Sequence, residues 1–140
     1  MKIYTIGYSN RNIDDFLHLL KKYGVECIVD VRRFPTSKFE FYKKEELASI
    51  LKRNNIKYFH FPSLGGFRGG YEKWMLGEEW KDSYKELKKI AMKCCTAILC
   101  AEKLPFKCHR RYIAKALAKE NWDVVHIIEE DVVWKEKFQG

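Results

Sequence analysis

The densest group of chemically useful residues runs from Cys100 to Arg111. It holds two thiols eight positions apart, and Cys108 is followed directly by His109 and Arg110. The segment leaves an apolar run and leads into a helical pattern, and helix N-termini attract anions and lower thiol pKa values. Cys108 is therefore a candidate reactive thiol, with an inert buried cysteine as the alternative.

The spacing of these groups limits the kinds of reaction or metal site that they could form. Tyrosine-phosphatase chemistry needs an arginine six positions after the cysteine, and those positions hold Phe106 and Ala114. Cys100, Cys108 and His109 could coordinate zinc, but the long gap and the lack of a CxxC pair make this a weak zinc pattern. A thiol or zinc site stays open as an alternative function, and we assign no metal ligand and no cofactor.

Arginine and lysine are distributed differently along this chain. Six of the seven arginines fall in segments that follow predicted strands, whereas most of the twenty lysines lie elsewhere. A guanidinium is a rigid fork suited to phosphate or carboxylate, so the pattern indicates a crevice that binds a phosphate-bearing ligand. The six arginines are Arg11, Arg32, Arg33, Arg68, Arg110 and Arg111, and all but Arg111 are assigned to the site.

A glycine-rich connection, residues 62–77, surrounds Arg68 and is long enough to be a functional loop. Its backbone N–H groups could form an anion nest, or the glycines could simply turn the chain. Neither a nucleotide P-loop nor an NAD fingerprint fits the glycine pattern. The ligand-binding residues predicted beside the arginines are Tyr8, Ser9, Gly65, Gly66 and His109.

Two carboxylates follow predicted strands, Asp30 just ahead of Arg32 and Glu102 two positions after Cys100. They could act as acid and base. They could equally neutralise arginines and hold them in place, which we favour because crowded cations need counter-charge. Asp30, Glu102 and Cys108 are thus the candidate catalytic groups.

Composition limits the class of protein. The chain has 140 residues, 46% of them hydrophobic, and a net charge of +8, which predicts one folded domain, 1–140, and excludes a two-domain enzyme and a disordered chain. No apolar run approaches the roughly 20 residues of a membrane span, and the start of the chain does not resemble a signal peptide. We therefore expect a cytoplasmic protein whose five cysteines are reduced.

Apolar runs and helical periods alternate along the chain. Five predicted strands, at 2–6, 26–31, 56–61, 96–100 and 124–128, are separated by four helical patterns. This predicts a three-layer α/β fold with a mainly parallel, Rossmann-like sheet of order 3-2-1-4-5, with 2-1-3-4-5 as the alternative. In such folds ligands bind beyond the carboxyl ends of the strands, where the residues named above lie.

Several short motifs occur in a fixed order: TIGYS at 5–9, DVRRFP at 30–35, LGGFR at 64–68, LCAE at 99–102 and CHR at 108–110. With these motifs the chain resembles the uncharacterised family called domain of unknown function 488, over nearly its whole length. The resemblance implies an α/β fold and supports the location of the site, and it supplies no established reaction.

The leading hypothesis is a small enzyme or binding protein whose arginine-rich crevice grips a nucleotide, a nucleic acid or another phosphate-bearing ligand. The alternative is a non-catalytic nucleic-acid-binding module that uses lysines on a helix face. A pI near 9.2 suits either partner. The second hypothesis predicts steep salt dependence and little effect of changing Cys108 or Glu102.

Overall fold

A computed structural model describes residues 1–66 and 69–136 of the chain. The predicted site residue Arg68 lies outside this part. The described residues form six strands in one sheet, in the order β3-β2-β4-β1-β5-β6. The strands are β1 (Lys2–Gly7), β2 (Cys27–Asp30), β3 (Lys57–His60), β4 (Thr96–Cys100), β5 (Asp123–Glu129) and β6 (Val132–Lys135).

Helices cover both faces of the sheet. Side chains of α1 and α2 share one core with one face, and side chains of α4 and α5 share a second core with the other. The α/β fold class predicted from the alternating pattern is confirmed. None of the helices formed by the described residues has the length and apolar character to span a bilayer. The helices are α1 (Ile13–Lys22), α2 (Lys44–Arg53), α3 (Tyr71–Trp74), α4 (Glu78–Lys93) and α5 (Arg110–Lys119).

The strand order is close to the predicted one, with β1 and β4 exchanged. β4 lies between β2 and β1 and pairs with both in parallel. Every residue of β2 and of β4 is buried, and nearly all of β1 is buried too. Three strands that are apolar on both faces give no pattern that ranks them as neighbours, so the sequence leaves this choice open.

Several short elements were not predicted. β6 adds an antiparallel edge strand to β5 in the segment after residue 130, whose structure the sequence left open. The connection 62–77 contains a 3₁₀ turn at Pro62–Leu64 and the single helical turn of α3. Both of these pieces are three or four residues long, too short to produce a helical period in the sequence.

The start of α1 shows how sequence signals place an element. The side chain of Asn12 accepts a hydrogen bond from the backbone N–H of Asp15 at 2.8 Å, which caps the helix. Acidic residues occupy the first turn and lysines the last turn, as the helix dipole favours. Gly24 follows with a φ of +68°, a left-handed conformation that suits glycine.

The expectation that all five cysteines are reduced is wrong for one pair. Cys27 begins β2 and Cys94 precedes β4, and the two form a disulfide at the amino edge of the sheet. Their pairing follows from the adjacency of β2 and β4, in which Cys27 lies opposite Thr96. The predicted strand order separates β2 from β4, so it could not bring these sulfurs together.

The carboxyl ends of β2 and β4 lie side by side at the opposite edge. From β2 the chain leads to α2 on one face, and from β4 it leads to α5 on the other face. Neighbouring parallel strands whose connections leave to opposite faces open a crevice between them, which is where α/β folds bind ligands. The residues after Asp30 and after Cys100 border this crevice.

Candidate functional site

The centre of the site is a contact between Cys100, the last residue of β4, and Arg110, the first residue of α5. Arg110 Nη1 donates to Cys100 Sγ at 2.6 Å and to the carbonyl of Glu102 at 2.7 Å. Arg110 Nη2 donates to the carbonyl of Lys103 at 2.9 Å. The guanidinium, which is fully buried, therefore ties the loop after β4 to the start of α5.

Cys108 joins this contact from the other end of the same loop. Its thiol donates to Cys100 Sγ across a distance of 2.9 Å, and its own Sγ accepts from the backbone N–H of Arg110 at 3.4 Å. Cys108 is 7% exposed and Cys100 is 1% exposed, so Cys108 is the sulfur nearer to solvent. The two cysteines form a dithiol with unequal access.

The two thiols differ in acidity. Burial opposes ionisation of Cys100, but the hydrogen bond from Cys108 and the positive charge of Arg110 together lower its pKa below that of an ordinary thiol. The hydrogen bond to Cys100, followed by burial, raises the pKa of Cys108. Of the two thiols, Cys100 is therefore the more acidic, rather than Cys108, where the sequence placed the reactive thiol.

Gly7 allows the loop after β4 to pack closely against the end of β1. A Cβ atom on Gly7 would lie 1.6 Å from the carbonyl oxygen of Glu102 and 2.9 Å from Arg110 Nη1. Gly7 lies opposite Cys100 in the β1–β4 pairing, so the loop after β4 folds directly over the end of β1. Only a residue without a side chain permits that approach.

His109 lies beside Cys108, Arg33 contacts the glycine-rich connection that packs near His109, and both side chains are half-buried. His109 Nδ1 is 3.8 Å from Cys108 Sγ, and its Nε2 is 3.3 Å from the carbonyl oxygen of Val31. Burial and the charge of Arg110 lower the pKa of His109, so its imidazole is neutral at pH 7. Arg33 Nε donates to the carbonyl of Gly66 at 2.7 Å, which brings the glycine-rich connection to this group.

Gly65 packs tightly against the same arginine. A Cβ atom on Gly65 would lie 2.5 Å from the backbone nitrogen of Arg33. One on Gly66 would lie 3.7 Å from His109 Nδ1, within ordinary contact distance. The described part of the glycine-rich connection therefore lies against Arg33 and His109, as a site loop should.

Arg32 has a different environment. Its guanidinium makes a bidentate ion pair with Asp30, in which Nε donates to Oδ1 at 2.9 Å and Nη2 donates to Oδ2 at 2.7 Å. The third nitrogen, Nη1, donates to the carbonyl of Tyr42 at 2.7 Å. The hydroxyl of Tyr58 adds a 2.5 Å bond to Asp30, and the Tyr8 ring lies 5.3 Å from the guanidinium carbon. Asp30 is fully buried and serves as the counter-charge of Arg32.

Arg11 and Ser9 lie farther along the same edge, beyond β1. Arg11 donates to the carbonyls of Gly7 and Ile128 at 3.1 and 2.5 Å, and pairs with Glu129 at 3.5 Å. Ser9 adopts a φ of +49° and its backbone N–H bonds the carbonyl of Ala101. Both line a cleft of about 490 Å³ in which acidic and basic groups are mixed.

The predicted site residues thus fall into three groups. Those beside the dithiol are Arg33, Gly65, Gly66, Cys108, His109 and Arg110. Asp30, Arg32 and Tyr8 form a second group, and Ser9 and Arg11 a third. Glu102 is exposed and contributes its backbone carbonyl to the site.

Sequence reasoning missed two functional features. Cys100 was considered for phosphatase-like chemistry and as part of a thiol or zinc site, and its contact with Arg110 was not predicted. Gly7 was named as part of the TIGYS motif, and no role in the site was predicted for it. Within residues 1–66 and 69–136, no three His, Cys, Asp or Glu side chains come close enough to hold a metal ion, so the geometry does not favour the zinc alternative.

Comparison with known proteins gives one match. No curated protein and no solved structure is similar to the chain. The family model "Domain of unknown function DUF488" matches residues 12–117, which is about three quarters of the chain. The matched region includes the crevice between β2 and β4 together with both thiols of the dithiol. The chain therefore belongs to the DUF488 family.

Proposed function

We propose that this protein is a thiol–disulfide redox protein in which Cys100 and Cys108 alternate between a dithiol and a disulfide. The observation that carries the proposal is the pair of contacts on Cys100 Sγ, 2.9 Å to Cys108 Sγ and 2.6 Å to Arg110 Nη1. The first contact makes disulfide formation a short movement, and the second supplies the charge that stabilises a thiolate.

The geometry supports an order of steps. Cys108, the more exposed sulfur, attacks the disulfide of a partner while its proton passes along the hydrogen bond to Cys100 Sγ. A mixed disulfide forms at Cys108, and the first partner sulfur leaves and takes that proton. Cys100, again a thiolate beside Arg110, attacks Cys108 Sγ and releases the second partner sulfur as a thiolate. Two electrons pass from the cysteine pair to the partner disulfide.

Arg110 and His109 are positioning residues in this scheme. Arg110 keeps Cys100 ionised, which lets Cys100 first accept the proton of Cys108 and later act as the resolving nucleophile. The neutral imidazole of His109 packs beside Cys108 and contacts the Val31 carbonyl of the neighbouring strand. The site is thereby held between β2 and β4.

The experiment is reaction of the purified protein with oxidised glutathione, followed by peptide mapping. We expect a linked Cys100–Cys108 peptide in the wild-type protein. In C100S the reaction should stop at a glutathione adduct on Cys108, because the resolving sulfur is missing. The matched control C95S changes a half-buried thiol at the other edge and should behave as wild type. The proposal fails if both thiols stay free, or if they pair with Cys95 instead.

A phosphate-bearing ligand in the crevice is the second candidate function. It is favoured by Arg33 and His109, which are both half-buried beside the glycine-rich connection. We expect inorganic phosphate, a nucleotide or an oligonucleotide to raise the melting temperature, and R33Q to remove most of that increase. R53Q, which changes an exposed arginine on α2, is the control. An equal loss in both variants would instead indicate diffuse binding by surface charge, as in a nucleic-acid module.

A cytoplasmic location is part of this proposal, since cellular thiol systems there keep an accessible dithiol reduced. Alkylation of intact cells before lysis tests it. Cys100 and Cys108 should be recovered mainly as alkylated thiols. Recovery of the pair as a disulfide under unstressed conditions would contradict a reducing compartment.

A further inference from the structure

The charge of Arg110 is balanced in an unusual way. Its guanidinium is fully buried, and its Nε is a buried donor for which residues 1–66 and 69–136 provide no hydrogen-bond partner. A buried cation needs an anion close by. The three hydrogen bonds from the guanidinium go to the carbonyls of Glu102 and Lys103 and to the sulfur of Cys100, and of these acceptors only the sulfur can carry a full negative charge.

Carboxylates do not fill this role. None of the ion pairs within the described ranges includes Arg110. Asp30, the one carboxylate that is buried among the described residues, is already engaged by Arg32 through both of its oxygens. The thiolate of Cys100 is therefore the counter-ion of Arg110.

Oxidation of the dithiol removes that counter-ion. In a disulfide between Cys100 and Cys108, both sulfurs are neutral and are weak hydrogen-bond acceptors. Arg110 would keep its positive charge, because a guanidinium does not lose its proton in proteins. The buried cation is then left without an anion, and the arrangement favours any oxyanion that can reach it.

The guanidinium contacts a loop that has exposed residues. The Nη1 group of Arg110 donates to the backbone carbonyl of Glu102, and Ala101 and Glu102 are both exposed. An oxyanion would approach the guanidinium from the solvent side of this loop. The neighbouring Lys103 is half-buried and carries an amino group that pairs with Glu129 on the same edge, which adds positive charge to the approach.

We propose that the Cys100–Cys108 pair gates an oxyanion site at Arg110: the thiolate fills the site in the reduced protein, and disulfide formation opens it to a phosphate group. The proposal rests on the thiol–disulfide function and adds a ligand and a regulatory consequence to it. Inorganic phosphate and the phosphate group of a monoester share the required chemistry, and a tetrahedral oxyanion can accept from several guanidinium donors at once.

The test is calorimetric titration with inorganic phosphate at constant ionic strength, before and after oxidation by oxidised glutathione. Peptide mapping verifies in both samples that the Cys27–Cys94 disulfide is intact. We expect the oxidised form to bind phosphate about tenfold more tightly or better, because the competing thiolate is gone. Repeating the titration with a phosphate monoester distinguishes the free ion from a ligand-borne phosphate as the preferred occupant.

Two variants make the outcome independent of oxidation. C100S removes the negative charge and should bind phosphate without oxidant, whereas C100D retains a charge beside Arg110 and should not bind. If the disulfide forms but the phosphate affinity stays equal, the gating proposal is wrong while the redox function stands. If no disulfide forms, the redox function fails and the gating proposal with it. Should C100D not fold, equal affinity in C100S and reduced wild type would still contradict the gate.

Discussion

Two cysteines at opposite ends of β4 have pKa values that are shifted in opposite directions. Cys95 directly precedes the strand, and Cys100 ends it. Burial and the neighbouring Glu26 raise the pKa of Cys95, whereas the bond from Cys108 and the charge of Arg110 outweigh burial and lower the pKa of Cys100. Cys100 is the more deeply buried of the two. The hydrogen bond from Cys108 and the adjacent charge, and not the depth of burial, therefore set which thiol is the more acidic.

The two edges of the sheet also use their sulfurs differently. At the amino edge a disulfide between Cys27 and Cys94 links the start of β2 to the end of α4. At the carboxyl edge the sulfurs of Cys100 and Cys108 lie close together beside a buried cation. We interpret the first pair as a structural link and the second as a reactive one.

The largest expected effect comes from removing the disulfide at the amino edge of the sheet. The Cys27–Cys94 link closes a loop of 67 residues, so replacing both by serine should lower the free energy of unfolding by about 4 kcal/mol. Urea denaturation measures this change. C95S, at the same edge but outside the link, should change stability by no more than about 0.5 kcal/mol. An unchanged urea midpoint in the double variant would show that the disulfide at the amino edge does not stabilise the fold.

Breaking the carboxyl edge by steric clash should have the next largest effect. G7A places a Cβ atom 1.6 Å from the Glu102 oxygen and should lower the free energy of unfolding by about 3 kcal/mol. Gly77, where a Cβ atom would lie 3.3 Å from the carbonyl oxygen of Trp74, is the matched position, and G77A should lower the free energy of unfolding by less than about 1 kcal/mol. Equal costs for the two variants would mean that the loop after β4 does not need its close approach to β1.

Removing the positive charge of Arg110 tests directly whether that charge lowers the pKa of Cys100. R110Q should raise the pKa of Cys100 and slow formation of the Cys100–Cys108 disulfide by oxidised glutathione about tenfold at pH 7, since Cys100 as a thiolate accepts the proton of Cys108 and then resolves the mixed disulfide. R110K keeps the charge and should recover part of the rate, which separates an electrostatic effect from misfolding. R111Q alters the adjacent arginine, which bonds the Phe106 carbonyl, and should leave the rate unchanged. A slow R110K with a normal R110Q would contradict the account.

The smallest expected effect is a pH dependence of stability from His109, at the carboxyl edge, and His126, in the middle of β5. Burial, together with the charge of Arg110, lowers the pKa values of His109 and His126 below 6.5 in the folded protein. The unfolded chain then binds more protons between pH 6.5 and the folded values, so stability should fall as the pH drops through this window. Melting temperatures at pH 7 and pH 5 measure the loss.

Histidine variants locate that loss. H109Q and H126Q should each reduce the pH 7 to pH 5 difference by a few degrees, whereas H18Q should not, because His18 is exposed on α1. A steeper acid loss in H109Q would show that His109 is protonated in the folded state. That result would also mean that the Arg110 charge is not felt at His109.

Much of the fold was predictable because its signals are local. The cap at Asn12 and the stop at Gly24 mark the two ends of α1 in the sequence, and a continuous apolar run marks β5. Within β5 the imidazole of His126 is hydrogen-bonded on both ring nitrogens, to Thr5 Oγ1 at 2.6 Å and to Glu136 at 3.0 Å. The exchange of β1 and β4 was not predictable, because strands buried on both faces carry no mark of their neighbours.

The site was predictable in place and not in its internal pairing. Arginines after β2 and β4 do lie at the carboxyl edge, as parallel strands require. Which carbonyl or sulfur each guanidinium contacts depends on loop backbones such as 101–109, whose course has no period in the sequence. The pairing of Arg110 with Cys100 therefore emerged only from the fold, as did the disulfide at the other edge.

The central claim is that Arg110 makes Cys100 the most acidic thiol of the chain. The most direct measurement is NMR of protein labelled with ¹³C at cysteine Cβ, followed across a pH titration. The account predicts that the Cys100 signal titrates below the ordinary range of a thiol while Cys95 titrates above it. A Cys100 signal that titrates together with Cys95, or after it, would contradict the account.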